Sequence, residues 1–104
     1  MRNYTEQVRK EIDSEFCFYC GKKLRSDNKT FDHLIPVAQG GKDVVDNLVC
    51  SCIDCNTIKG NNTIPQLLVK LRKETKFCGE GDELRKAKLD YYINIFEIAQ
   101  NKIK

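Results

Sequence analysis

The spacing of hydrophobic positions changes repeatedly along this chain, and the changes outline its elements. Tyr4, Val8 and Ile12 recur every four residues, which predicts a short amphipathic helix from Asn3 to Asp13. Asn3 is its expected cap, with Glu6 three residues on as in a capping box. Aromatic residues then crowd around two cysteines in Phe16-Cys17-Phe18-Tyr19-Cys20-Gly21, a tight turn in which Gly21 tolerates positive φ. Lys29 to Ile35 reads as a strand stopped by Pro36, and Leu48-Val49-Cys50 as a second short strand. Gly40-Gly41 between them predicts a turn or flexible loop, and Asp46-Asn47 precedes the second strand. A helix opens at Cys55 and runs to Lys59, where Gly60 can end it. Thr63, with Pro65 in the first turn, opens another that runs to about Thr75, with Leu67, Leu68 and Leu71 on its apolar face. Asp82 is the expected cap of a last helix reaching about Lys102. Leu84, Ala87, Tyr91, Ile95 and Ile98 are its expected stripe, widened by Tyr92, Phe96 and Ala99. The last two helices read as a packed hairpin or as a surface for a homodimer or a partner protein.

A chain of 104 residues is expected to form a single domain, 1–104. At that size a structural metal is a useful staple for a modest core. No apolar run approaches the roughly 18–20 residues that cross a bilayer, so no membrane partner is expected. The charged N-terminus lacks the apolar core of a signal peptide. The expected compartment is therefore cytoplasmic, where thiols stay reduced.

That compartment changes how the six cysteines read. Two cysteines separated by two residues can both reach one tetrahedral ion, because the turn between them brings the sulfurs together. One such pair is weak evidence, since it fits a redox couple or two packed thiols equally well. Two pairs, Cys17 with Cys20 and Cys52 with Cys55, are a strong signal for structural Zn2+. Thirty-one residues separate Cys20 from Cys52, against roughly 15–20 in a simple ribbon. Something is inserted between the halves of the site. Cys50 reads as a small buried hydrophobe, with an exchange for Cys52 as ligand left open, and Cys78 as a loop or helix-end thiol. A closed set of four thiolates around zinc lowers the formal charge of +3 to about +1. Overall charge is thus a weak pointer to nucleic acid. Lys70, Arg72, Lys73 and Lys76 form a basic cluster that fits a solvated helix face or a phosphate-contacting patch.

The insert carries the only histidine, His33, beside Asp32. Phosphodiester hydrolysis needs an activated water, a cation on the phosphate, and positioning. Histidine suits the first task, with an unperturbed pKa of about 6.5. Asp32 is a hard oxygen ligand suited to magnesium, and Asn56 offers an amide oxygen. Neighbours on a regular strand face opposite sides, so Asp32 and His33 can share one site only if the strand twists or ends there.

Asp32-His33, Gly40-Gly41, Asp46-Asn47-Leu48 and Cys52-x-x-Cys55-Asn56-x-x-Lys59-Gly60, in that order, resemble the HNH endonucleases. Cys17-x-x-Cys20 resembles the zinc half-site many of them carry. The resemblance covers residues 17–60 and implies an α+β fold: a small ββα-metal finger with a four-cysteine zinc knuckle, with 1–16 and 61–104 as flanking helices. It implies His33 as general base, Asp32 as a ligand of the catalytic ion, and Asn47 as the residue that orients the histidine and the finger. Asn56 stands where the family name expects a histidine, so the chain resembles the H-N-N variant. An amide oxygen there favours Mg2+ or Mn2+ over the borderline ions an imidazole admits. Lys59, one turn after Asn56, fits a phosphate contact or a solvated lysine.

The expected function is metal-dependent hydrolysis of DNA. Asp32, His33, Asn47 and Asn56 form the catalytic set. Cys17, Cys20, Cys52 and Cys55 hold zinc, Asp32 and Asn56 the catalytic ion, and Lys59, Lys70, Arg72 and Lys73 the nucleic acid. The alternative is a zinc-ribbon module that binds nucleic acid or protein without cutting. A thiol redox protein would need reactive Cys-x-x-Cys pairs.

Overall fold

The computed structural model describes residues 5–103. Helix α1, Glu6–Ile12, is capped by Thr5, whose hydroxyl accepts from Val8 N at 3.3 Å. Asn3 and Tyr4, expected as cap and first face residue, lie outside the described residues. Of the expected face, Ile12 is buried and Val8 half-buried.

Strands β1 (Lys29–His33) and β2 (Leu48–Cys52) pair antiparallel, from Lys29 opposite Cys52 to His33 opposite Leu48. All five residues of β2 are buried, with Val49, Cys50 and Cys52 packed among the knuckle and the helices in one core cluster. Strand β1 stops at His33, two residues short of the expected end, because the chain opposite is a 3-10 turn at Val45–Asn47; Leu34 N still reaches Asn47 O in register.

Helix α2, Ile53–Lys59, follows β2 without a loop. It starts two residues before Cys55 because Cys52 is its cap, the sulfur accepting from Cys55 N at 3.4 Å. Helix α3, Ile64–Lys76, opens with a full capping box: Thr63 accepts from Gln66 N while Gln66 Oε1 accepts from Thr63 N. Its Ile64, Leu67, Leu68 and Leu71 are buried. Helix α4, Glu83–Ile103, packs back against α3 as a hairpin.

The expected face of α4 holds at Ile95, Phe96 and Ala99, which are buried, and needs correction elsewhere. Leu84 is 87% exposed, Tyr91 and Ile98 about half exposed, and Ala87 also faces outward. The buried residues are Leu89, Ile95, Phe96 and Ala99. The apolar positions of this helix cover a broad face, and period alone does not say which part of it is buried. The packing puts Phe96, fully buried, against Tyr19 with ring centroids 5.0 Å apart. The fold is thus a small α+β arrangement of one two-stranded sheet with helices around it.

Candidate metal frame and active site

The two Cys-x-x-Cys segments build the same local device twice. Cys20 N points at Cys17 Sγ (3.5 Å), as Cys55 N points at Cys52 Sγ (3.4 Å). Amide donors aimed at sulfur favour thiolates. The first knuckle is closed by Cys17 N to Lys22 O and turns at Gly21, whose φ is 77°. It docks on β2 through Phe18 N to Cys50 O. The four Sγ atoms of Cys17, Cys20, Cys52 and Cys55 lie within 4.8 Å of one another and are positioned to hold one metal ion. Cys50 stands outside the cluster, its sulfur near Asp13 and Ser14, which resolves the choice in favour of Cys52.

Electrostatics fits the same reading. Cys17 is pulled down to about 4, chiefly by the hydrogen bond from Cys55, and that bond pushes Cys55 far above the usual thiol range. Burial raises Cys20. Four thiolates this close repel one another unless a cation sits among them, so the donor set matches a dication with tetrahedral sulfur preference.

About the end of β1 the geometry is different. Asp32, His33 and Asn56 line one open cleft of about 400 Å3, with Pro36, Gly60 and Asn61 at its margin. Because β1 ends at His33, the neighbours Asp32 and His33 reach the same space. Asp32 is 7% exposed. Its Oδ2 accepts a short hydrogen bond from the Tyr19 hydroxyl and lies 3.1 Å from Lys59 Nζ. Its Oδ1 has no partner among the described residues, and none of their buried side-chain oxygens is left unpaired, so Oδ1 opens to the cleft. Burial, then the Asp32 charge, raises the Tyr19 phenol far above its ordinary value, which keeps it a donor.

Thr30 and Asp32, two apart on the strand, meet Asn56 and Lys59, three apart on the helix. Asn56 Nδ2 donates to Thr30 Oγ1 at 3.3 Å, which leaves the amide oxygen for the cleft. This i, i+2 against i, i+3 match is what one strand face offers one helix face.

Three sequence assignments look different in the fold. Lys59, grouped with the phosphate contacts, is fully buried, its ammonium also donating to His33 O at 2.8 Å. A charge so buried requires partners, and Asp32 supplies one. Among the described residues Asn47 makes no hydrogen bond to the His33 ring. It accepts from Ile35 N and donates to Ile35 O and Lys42 O, at 2.9 to 3.0 Å, clamping the loop that follows His33. Lys70, Arg72 and Lys73 are exposed on α3 but do not line the cleft, and Arg72 pairs with Glu97 of α4 at 3.5 Å.

The glycine pair is locked rather than loose. Gly40 takes φ 87°, and a Cβ on Gly41 would lie 1.7 Å from Ile35 O. Gly41 N instead bonds Pro36 O at 3.0 Å. This tight return brings Asp43 to His33, with Oδ1 2.9 Å from Nε2. Sequence reasoning missed Asp43 and Tyr19. Asp43 carries no local signal, and Tyr19 reads as one more aromatic beside the cysteines.

A family model described as HNH endonuclease matches residues 17–72, more than half of the chain. Over 46 residues the chain is 44% identical to the CRISPR-associated endonuclease Cas9 of Corynebacterium diphtheriae, a match covering 43% of this chain and 4% of that protein. The crystal structure of the Type II-C Cas9 enzyme from Actinomyces naeslundii is similar over 92% of this chain and 12% of that one, at 20% identity and a TM-score of 0.45. The chain therefore spans a small part of the length of either relative.

Proposed function

The chain belongs to the HNH endonuclease family, and on that footing we propose that it hydrolyses phosphodiester bonds of DNA, with His33 as general base. The observation that carries the reading is the meeting of His33, Asp32 Oδ1 and Asn56 on one open cleft beside a four-sulfur frame.

The frame holds a structural Zn2+ through Cys17, Cys20, Cys52 and Cys55, with no ligand position left for chemistry. Asp32 and Asn56 are the residues to hold a Mg2+ or Mn2+ ion, which when bound supplies positive charge at the scissile phosphate. His33 removes a proton from the attacking water. If Nε2–H donates to Asp43 Oδ1, the ring is fixed and Nδ1 is left as the accepting nitrogen. Asp43 then stabilises the imidazolium that forms, as a carboxylate behind a catalytic histidine does elsewhere. Asn47 ties the loop that carries Asp43 to the chain just after His33. The exposed Lys70 and Lys73 are candidate contacts to the DNA backbone at a distance from the cleft. One site of this kind cuts one strand.

Plasmid nicking by zinc-loaded protein, with and without added magnesium, tests this. Wild type should nick only with the added ion, and His33→Ala should lose about 100- to 10,000-fold in rate while keeping zinc and fold. A folded, zinc-loaded protein that cleaves neither DNA nor RNA would reduce the chain to a binding module. Undiminished nicking by His33→Ala would remove the assigned base.

A further inference from the structure

We propose that Tyr19, between the two cysteines of the first knuckle, is a positioning residue that holds Asp32 ready for the catalytic ion. The inference rests on the reading of Asp32 as an ion ligand. It adds a residue to that site from the other metal frame.

Tyr19 is 2% exposed and fixed on every side. Its backbone is pinned by the knuckle, where Gly21 N bonds Cys17 O. Its ring lies against Phe96 at 5.0 Å and edge-on to Phe18 at 5.4 Å. Such a side chain has one place to put its hydroxyl, and that place is Asp32 Oδ2. A carboxylate on a free strand end samples two χ angles and can present either oxygen to the cleft. Here Tyr19 and Lys59 together occupy one oxygen and leave Oδ1 to the open side.

The two anchors are not equivalent. Lys59 brings a charge that competes with a cation for Asp32. Tyr19 brings a neutral donor, which fixes direction and leaves the negative charge in place. Pre-setting a ligand in its bound orientation improves binding by removing the ordering cost. Tyr19 also sits one residue before Cys20 and two after Cys17, so the geometry of the sulfur frame reaches Asp32 through a single side chain. Cys55 beside Asn56 gives the frame a second route, through the backbone, to the other candidate ligand.

The test is Tyr19→Phe, which keeps the ring and removes only the donor. Zinc content and thermal midpoint are measured first. Mn2+ binding to the zinc-loaded protein is then followed by electron paramagnetic resonance without DNA, and nicking is followed against metal concentration. Zinc should be retained, Mn2+ affinity should fall about tenfold, and the half-saturating metal for nicking should rise by the same factor. The rate at saturating metal should change less than threefold. In Asp32→Asn, adding Tyr19→Phe should produce no further loss of Mn2+ affinity. Unchanged Mn2+ affinity in a zinc-loaded Tyr19→Phe overturns the inference. Loss of zinc from the variant also overturns it, by assigning the hydroxyl to the knuckle alone. Wild type that binds no Mn2+ and does not nick would instead defeat the parent reading of Asp32.

Discussion

The sulfur frame and the cleft stand a few residues apart in sequence, Cys55 next to Asn56, yet they are built on opposite plans. The frame is made of two short turns, each supplying its own amide donors to its own sulfurs. Its ligand residues are largely buried and mutually satisfied. The cleft's functional side chains come from β1 and α2 and are held from two further places, Asp43 and the first knuckle. Its ligand oxygens are half-committed, each candidate keeping one atom in a protein contact and one toward solvent. A structural site gains from having nothing left over. A reactive site must leave atoms unpaired, so it borrows rigidity from what surrounds it.

Breaking the frame should give the largest effect. Cys55→Ser removes one sulfur and leaves three that cannot close the tetrahedron. Zinc binding in small structural sites is worth about 10–16 kcal/mol, so the variant should lose zinc and cooperative unfolding together, and nicking with them. Inductively coupled plasma metal analysis and circular dichroism read this. Full activity in the variant would separate the cleft from the frame and refute the dependence described above.

Next in size is Lys59→Met, which strikes the joint between frame and cleft. It leaves the largely buried Asp32 carboxylate without its countercharge, a loss of about 3 kcal/mol by urea unfolding of the zinc-loaded protein. Because Asp32 Oδ1 opens to the cleft, added Mn2+ should restore part of that stability in the variant and much less in wild type. A variant as stable as wild type would mean that the buried pair contributes nothing net.

The smallest effect belongs to Asn47→Ala. Its three hydrogen bonds hold a solvent-exposed loop, so the loss should be about 1–2 kcal/mol. Activity should fall further than stability explains, through a lower rate at saturating metal with little change in the half-saturating concentration. That pattern would place Asn47 behind His33 and Asp43, as opposed to the ion ligands. A change confined to metal affinity would place it with Asp32 instead.

Much of the frame was readable from spacing, because a Cys-x-x-Cys knuckle is a local object: its geometry is set by the four residues themselves. The same holds for Thr63 as the cap of α3, and for Gly21 at positive φ. The order of motifs was enough to bring Asp32, His33 and Asn56 to one cleft, since a hairpin followed directly by a helix leaves them few other places. Side-chain destinations were not readable. Lys59 read as a phosphate contact or a solvated lysine, and only the packing of α2 on β1 buries it. Tyr19 looked like filler because nothing near it in sequence announces a carboxylate 13 residues away. Helix α4 offered a broad apolar face, and packing buried only the part around Leu89, Ile95, Phe96 and Ala99, with Phe96 over Tyr19.

The division follows from how far each interaction reaches along the chain. Turns, caps and the knuckle ligands are fixed within three or four residues, so composition and spacing specify them. Which face of a helix is buried, and which partner a buried charge meets, depends on surfaces contributed by distant segments. Those exist only after the chain has closed on itself, and for Asp32 they decide that one oxygen is tied and the other is offered to the cleft.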